Sequence, residues 1–262
     1  TTGASNVGIG HEALYLNTTA NNNTAVGFQS LRSNTTGTDN VALGAEALEN
    51  NTTASNNTAL GRIALFTNTT GASNTAMGST AMRFNTTGAS NVAVGFQALN
   101  QNTTGVHNTA VGRDALLSNT TSSNNTAIGT YALDNCTTGN SNTAVGVQAM
   151  DACTTGAEND AFGSLTLDAL TTGFGNAAFG RDALGSVTSG SLNTGIGVNS
   201  GNSITTGVRH ITIGQAAGTN LVGGNDCIAI GHGTNFSSTT AASQIVLGSD
   251  SKRKLYFWFW YY

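Results

Sequence analysis

Charge is what this sequence has least of: 9 Lys and Arg and 13 Asp and Glu among 262 residues, with a formal net charge of −4. With no basic stripe there is no electrostatic footprint for nucleic acid, and DNA and RNA are not expected as partners. No run of eighteen apolar residues occurs, so no membrane-spanning helix is expected. A signal peptide and an initiator Met are absent as well, which reads as a mature form or a fragment. The three cysteines fit no metal or redox motif and, being odd in number, no framework of paired disulfides. Catalytic signatures are missing too: there is no nucleophile elbow, no His-Glu-x-x-His and no phosphate loop. His11, His107, His210 and His232 have no companions at ligand spacing and read as surface or corner polar groups. The expectation is a protein that is not an enzyme and takes no cofactor.

What is present is glycine on a strict period. Gly10, Gly27, Gly44, Gly61 and their successors to Gly231 and Gly248 recur every seventeen residues, fifteen times, with no insertion or deletion. Self-similarity at a short fixed period marks an array whose units bury their apolar faces only by stacking. Before each Gly stands a phrase such as Asn142-Thr143-Ala144-Val145, alternating in period two as a β-strand does. The fold expected is all-β, a parallel β-solenoid (β-roll) of fifteen 17-residue coils over residues 1–251, followed by an atypical basic-aromatic tail at 252–262. Fourteen steps of roughly 4.8 Å give a rod of about 67 Å.

Aligned coils can be compared column by column. The large apolar residue before each Gly, from Ile9, Val26 and Leu43 to Leu247, is expected to form the core. A second apolar column, the fourth residue after the Gly, runs Leu14, Leu31, Leu48 and Leu65 to Leu184 and is interrupted at Gly201 and Gly218. Charge gathers one, two and five places after the Gly, as in Arg62, Glu46 and Arg32, and five places before it, as in Asp39. These columns are expected to face water.

Seven places after the Gly comes Asn17, Asn34, Asn51, Asn68, Asn85, Asn102 and Asn119, then Cys136, Cys153, Leu170, Val187, Ile204 and Leu221. A position that accepts Cys, Leu, Val and Ile points inward, so the asparagines are expected to form a buried ladder of amides bonded from coil to coil. Each precedes Thr-Thr and so spells a glycosylation sequon, but coils about 4.8 Å apart leave no room for a sugar on every rung. A second Asn column, from Asn6 and Asn23 to Asn193, yields to His210, Cys227 and Gln244, and is expected to satisfy turn backbone. Cys136 and Cys153 are read as a buried, reduced pair. Asp134, Asp151 and Asp168 share one column, a candidate for a Ca²⁺ site or an ordinary solvated acidic strip. Tyr15, Phe28, Phe66 and Phe96 either stack on a sugar or pack against another chain. The seven aromatics from Tyr256 to Tyr262 are either buried between chains or foreign to the repeat.

The phrases Asn91 to Gly95 and Asn142 to Gly146, linked by Asn-Thr-Thr-Gly, resemble the head repeats of YadA-like trimeric autotransporter adhesins and similar phage or viral tail-fibre repeats. The unit is longer than the usual head repeat, and no coiled-coil stalk or membrane anchor is recognisable. The resemblance implies a left-handed roll, a parallel homotrimer and an extracellular, cell-surface or virion fibre that attaches to a host receptor or glycan. A structural alternative is an extracellular filament joined by end-to-end contacts. In either case the first coil, Thr1 to Gly10, is expected to abut further chain or another subunit. A third reading, ice binding, draws on the Thr ranks but is weakened because strand alternation is expected to send only one of each Thr18-Thr19 or Thr35-Thr36 pair outward.

Overall fold

The computed structural model describes residues 2–248 and 255–257. The chain divides into two compact units, residues 1–138 and 139–262. All regular structure among the described residues is β: fifteen three-residue strands from β1 (Val7–Ile9) to β15 (Ile245–Leu247), each starting seventeen residues after the last. Unit one holds β1 to β8 (Thr126–Ile128) and unit two holds β9 (Thr143–Val145) to β15. Within each unit the pairing is parallel and in register, with Val41 beside Thr58 and Leu43 beside Leu60 in one, and Thr194 beside Ile211 in the other. The solenoid expected from the period is therefore the fold. Of the tail, only Leu255–Phe257 is placed. It forms β16, antiparallel to β15 with Leu255 opposite Leu247; the rest of 249–262 lies outside the described residues, as does Thr1.

The Gly that sets the period is required twice over. Its φ is near +137° at Gly44 and Gly61, in a region side chains avoid. A Cβ on Gly61 would also sit 2.5 Å from the carbonyl oxygen of Gly78 in the next coil. Past this Gly the chain turns through two left-handed residues, such as Glu46 (φ 61°) and Leu48 (φ 52°). A bulky residue in that conformation costs roughly 1–2 kcal/mol. It is held there by burial and by the coil stack: Leu48 is fully buried and its N–H donates to Ala64 O at 3.0 Å. Where Gly201 and Gly218 replace Leu, φ is +61° and +66°, so the strain is relieved. The lost volume is filled from elsewhere, by buried Thr212, Ile204 and Phe236.

The strand phase differs from the expectation. The large residue before the Gly points outward: Leu43 is 45% exposed, Ile128 40% and Phe179 42%. The inward residue is the small one between, Ala25, Ala42, Ala59 and their successors, all fully buried. The cause is the narrow cross-section, in which the Leu column lies directly against the strand. At Gly195 an added Cβ would already approach Leu184 Cγ to 2.7 Å. Opposite a leucine, a Val or Leu at that strand position has no space, and the larger inward residues Thr212 and Val246 come only after the leucine column gives way to Gly201, Gly218 and Asn235; the alternation is kept with its faces exchanged. The core is thus Ala against Leu, completed by a buried small column that includes Ala47, Ala64 and Ala81.

Candidate functional surfaces

Outward display of the residue before each Gly creates an apolar strip on each unit. Val41, Leu43, Leu60, Met77, Val92 and Ile128 are exposed in unit one; Phe162, Phe179, Ile196 and Ile230 continue the pattern in unit two. Phe162 and Phe179 stack with centroids 4.9 Å apart and planes 3° apart. The column following the Gly widens the strip at exposed Phe28, Phe96, Val147 and Val198. Phe96 and Tyr131 flank the Arg113 guanidinium at 5.9 and 5.7 Å. Asp160 places an exposed charge within a strand. The sequence-expected aromatics Tyr15 and Phe28 are exposed, Tyr15 beneath Arg32 and Phe28 stacked on His11, while Phe66 is half-buried.

The first Asn column is buried and continuous. Asn51 Nδ2 donates to Asn34 Oδ1 at 2.9 Å and to Ala54 O at 2.9 Å, and Asn68 Nδ2 donates to Asn51 Oδ1 at 3.0 Å and Gly71 O at 2.9 Å. The same pair of bonds recurs at Asn34, Asn85, Asn102 and Asn119, and Asn17 donates to Ala20 O. From Asn34 to Asn119 both amide hydrogens are engaged inside the protein, which leaves those sequon asparagines no route to a glycan. The replacements Cys136, Cys153, Leu170, Val187, Ile204 and Leu221 are all fully buried. The second Asn column forms another ladder, each Oδ1 accepting a backbone N–H one coil on, as Asn23 Oδ1 does from Asn40 at 3.0 Å.

The acidic column is less exposed than its charge suggests. Asp151 and Asp168 are half-buried, and burial, with Asp182 nearby, raises the Asp168 carboxyl above its ordinary value. Among the described residues no group of three His, Cys, Asp or Glu side chains is gathered to hold a metal. Asp114 departs from the expectation that its column faces water. It is buried at 4% exposure and accepts from Arg113 Nε at 2.9 Å. Cys136, Cys153 and Cys227 are buried and form no disulfide.

The Thr pairs correct the alternation argument. Neither Thr of a pair points into the core: Thr35 is half-buried and Thr36 exposed. The first of each pair donates its hydroxyl to the next coil, Thr35 to Thr52 O at 3.0 Å and Thr52 to Thr69 O at 3.1 Å. One hydroxyl row per coil is therefore committed within the protein. Beside it lies a groove of about 450 Å³ lined by Thr67, Phe84, Thr86, Gln101, Thr103 and Thr120, which sequence reasoning missed because Phe84 is the one aromatic in a mostly small and polar column. No helix among the described residues is long and apolar enough to cross a membrane. No protein-family model matches the chain, and no curated protein is similar to it.

Proposed function

We propose that this chain is the shaft of an extracellular or virion-surface attachment fibre, assembled as a parallel homotrimer. The observation that carries the proposal is the outward apolar strip. A soluble monomer rarely leaves contiguous apolar surface beyond a few hundred Å² uncovered, and here valine, leucine, isoleucine, methionine and phenylalanine are displayed coil after coil. Packing against identical strips would cover it in an isologous or cyclic arrangement. The likeness to adhesin head repeats supports three as the number. Buried ladders and committed hydroxyls suit a rigid spacer, while exposed aromatics and the Phe84 groove offer contact points for a host receptor or glycan. The filament alternative, built by stacking coil on coil, is less well supported because β16 already pairs with β15 on the edge such stacking would use.

The test is the mass in solution by sedimentation or light scattering. Three times the 26.4 kDa chain mass is expected. Leu60→Lys combined with Leu43→Lys changes only outward positions, so it is expected to keep the fold and release monomers. A wild-type protein that stays monomeric at micromolar concentration would overturn the trimeric fibre.

A further inference from the structure

We infer that the coil carrying His210 is an acid-sensitive break in the second amide ladder. Most rungs of the ladder supply two things: an acceptor for a backbone N–H seventeen residues on, and a donor for a carbonyl fourteen residues on. Asparagine meets both with one amide, as Asn176 does by accepting from Asn193 N at 3.0 Å and donating to Gly190 O at 2.9 Å. His210 meets the same demands with its two ring nitrogens. Nδ1 accepts the N–H of Cys227 at 3.2 Å, and Nε2 lies 3.1 Å from Gly224 O. A nitrogen facing an N–H must be bare, and one facing a carbonyl must carry hydrogen, so the partners select the neutral Nε2–H tautomer.

An amide cannot gain a proton in the physiological range; an imidazole can. Protonated at Nδ1, His210 would oppose N–H to the N–H of Cys227, removing an acceptor and placing a charge where the ring has no solvent access at 0% exposure. The ring fills the space beside Gly207, where any larger residue would overlap the imidazole.

The charged and titratable groups around the ring are Asp226, Arg209 and Cys227. Asp226 favours the cation but is bound to Arg209 through two bonds of 2.6 and 2.9 Å, and Arg209 opposes the cation. The Cys227 thiol donates to Ala241 O at 3.2 Å and burial raises its pKa, so it stays neutral. On the preceding coil the partner is the uncharged Asn193, whose Oδ1 accepts His210 N–H at 2.9 Å. Burial leads the balance and lowers the histidine below its ordinary value, against the pull of Gly224 O and Asp226. A folded pKa below the unfolded one means that the contribution of the neutral ring is complete above the unfolded value. It is lost as the pH falls from there through the folded value. The remaining histidines, His11, His107 and His232, are exposed and lack this coupling.

The loss falls on the pairing that follows at once, Ile211 beside Ile228. Hydrogen exchange read by mass spectrometry at pH 7 and pH 5, corrected for the intrinsic rate, tests it on the wild type and His210→Asn. The variant restores the residue used from Asn6 to Asn193. Should it fail to fold, His210→Gln is the second choice, because the same column already carries Gln244. In the wild type, peptides covering 208–230 are expected to exchange about tenfold or more faster at pH 5, with no such change around residues 40–110. The variant is expected to lose that pH dependence. Equal pH dependence in wild type and variant, or no acid response at 208–230 in the wild type, would overturn the inference, whatever the state of assembly.

Discussion

Replacing Asn68 with Leu puts into the amide ladder a residue that the same column accepts at Leu170 and Leu221. The substitution nonetheless strips three buried groups of their partner: Asn51 Oδ1, Gly71 O and one N–H of Asn85, now bonded to Asn68 at 3.0, 2.9 and 2.7 Å. Each orphaned group costs about 1–3 kcal/mol, while burying the leucine returns roughly 1.5–3 kcal/mol. With each term at the middle of its range the net expected loss is about 4 kcal/mol, read from urea unfolding followed by circular dichroism.

The sharper test is the double variant with Asn85→Leu. Alone, Asn85→Leu orphans Asn68 Oδ1 and one N–H of Asn102, because Gly88 O keeps its bond from Asn74 Nδ2. Together the two substitutions remove both members of the Asn68–Asn85 bond, so two of the orphans counted in the single variants no longer exist. The double variant should therefore be less damaging than the sum by about 2 kcal/mol or more. Additivity within about 0.5 kcal/mol would refute the ladder as a coupled chain of bonds. The same reasoning explains why the column changes in a block from Asn to Cys, Leu, Val and Ile instead of alternating: a single apolar rung is costly and a run of them is not.

Three further outcomes follow from the coil geometry. Gly61→Ala combines a forbidden φ of 137° with a Cβ placed 2.5 Å from Gly78 O, and should lower the thermal midpoint of its unit sharply, by several kcal/mol equivalent; an unchanged midpoint would show that coils can separate at that corner. Leu99→Asp, which puts a carboxylate at a fully buried position, should disrupt its coil, while Glu46→Gln at a half-buried edge should be nearly silent by the same measurement. Leu184→Gly should cost less than Leu184→Ala would suggest from volume alone, since glycine relieves a φ of 53° as it does at Gly201; equal or greater loss for glycine would mean that the left-handed leucines carry no appreciable strain.

The period, the strand phrase and the parallel pairing could all be read from the glycines, because a repeat without insertions forces every coil to present the same residue at the same place. The phase of the strand could not be read from hydrophobicity. Valine and leucine before the Gly look like core, and in a wide sandwich they would be. In this coil the opposite wall is a leucine column so close that only Ala25, Ala42, Ala59, Gly195 and occasional residues such as Thr212 and Val246 fit the inward strand position. The usable signal was the range of sizes a column tolerates. The outward column runs from Val26 to Phe162 and Phe179 because solvent or a partner sets no fixed volume, whereas the inward one is held almost wholly to alanine because a fixed wall does. That criterion, applied to the asparagines through their replacement by Cys136, Leu170 and Ile204, placed them inside, where the structure has them. Applied to the strand it would have exchanged the two faces and left an apolar strip looking outward, which is the feature the fibre proposal rests on. The left-handed leucines and the ring bonds of His210 lay beyond such reasoning: residue type forbids neither, and each depends on a neighbour one coil away that only the folded stack brings into contact.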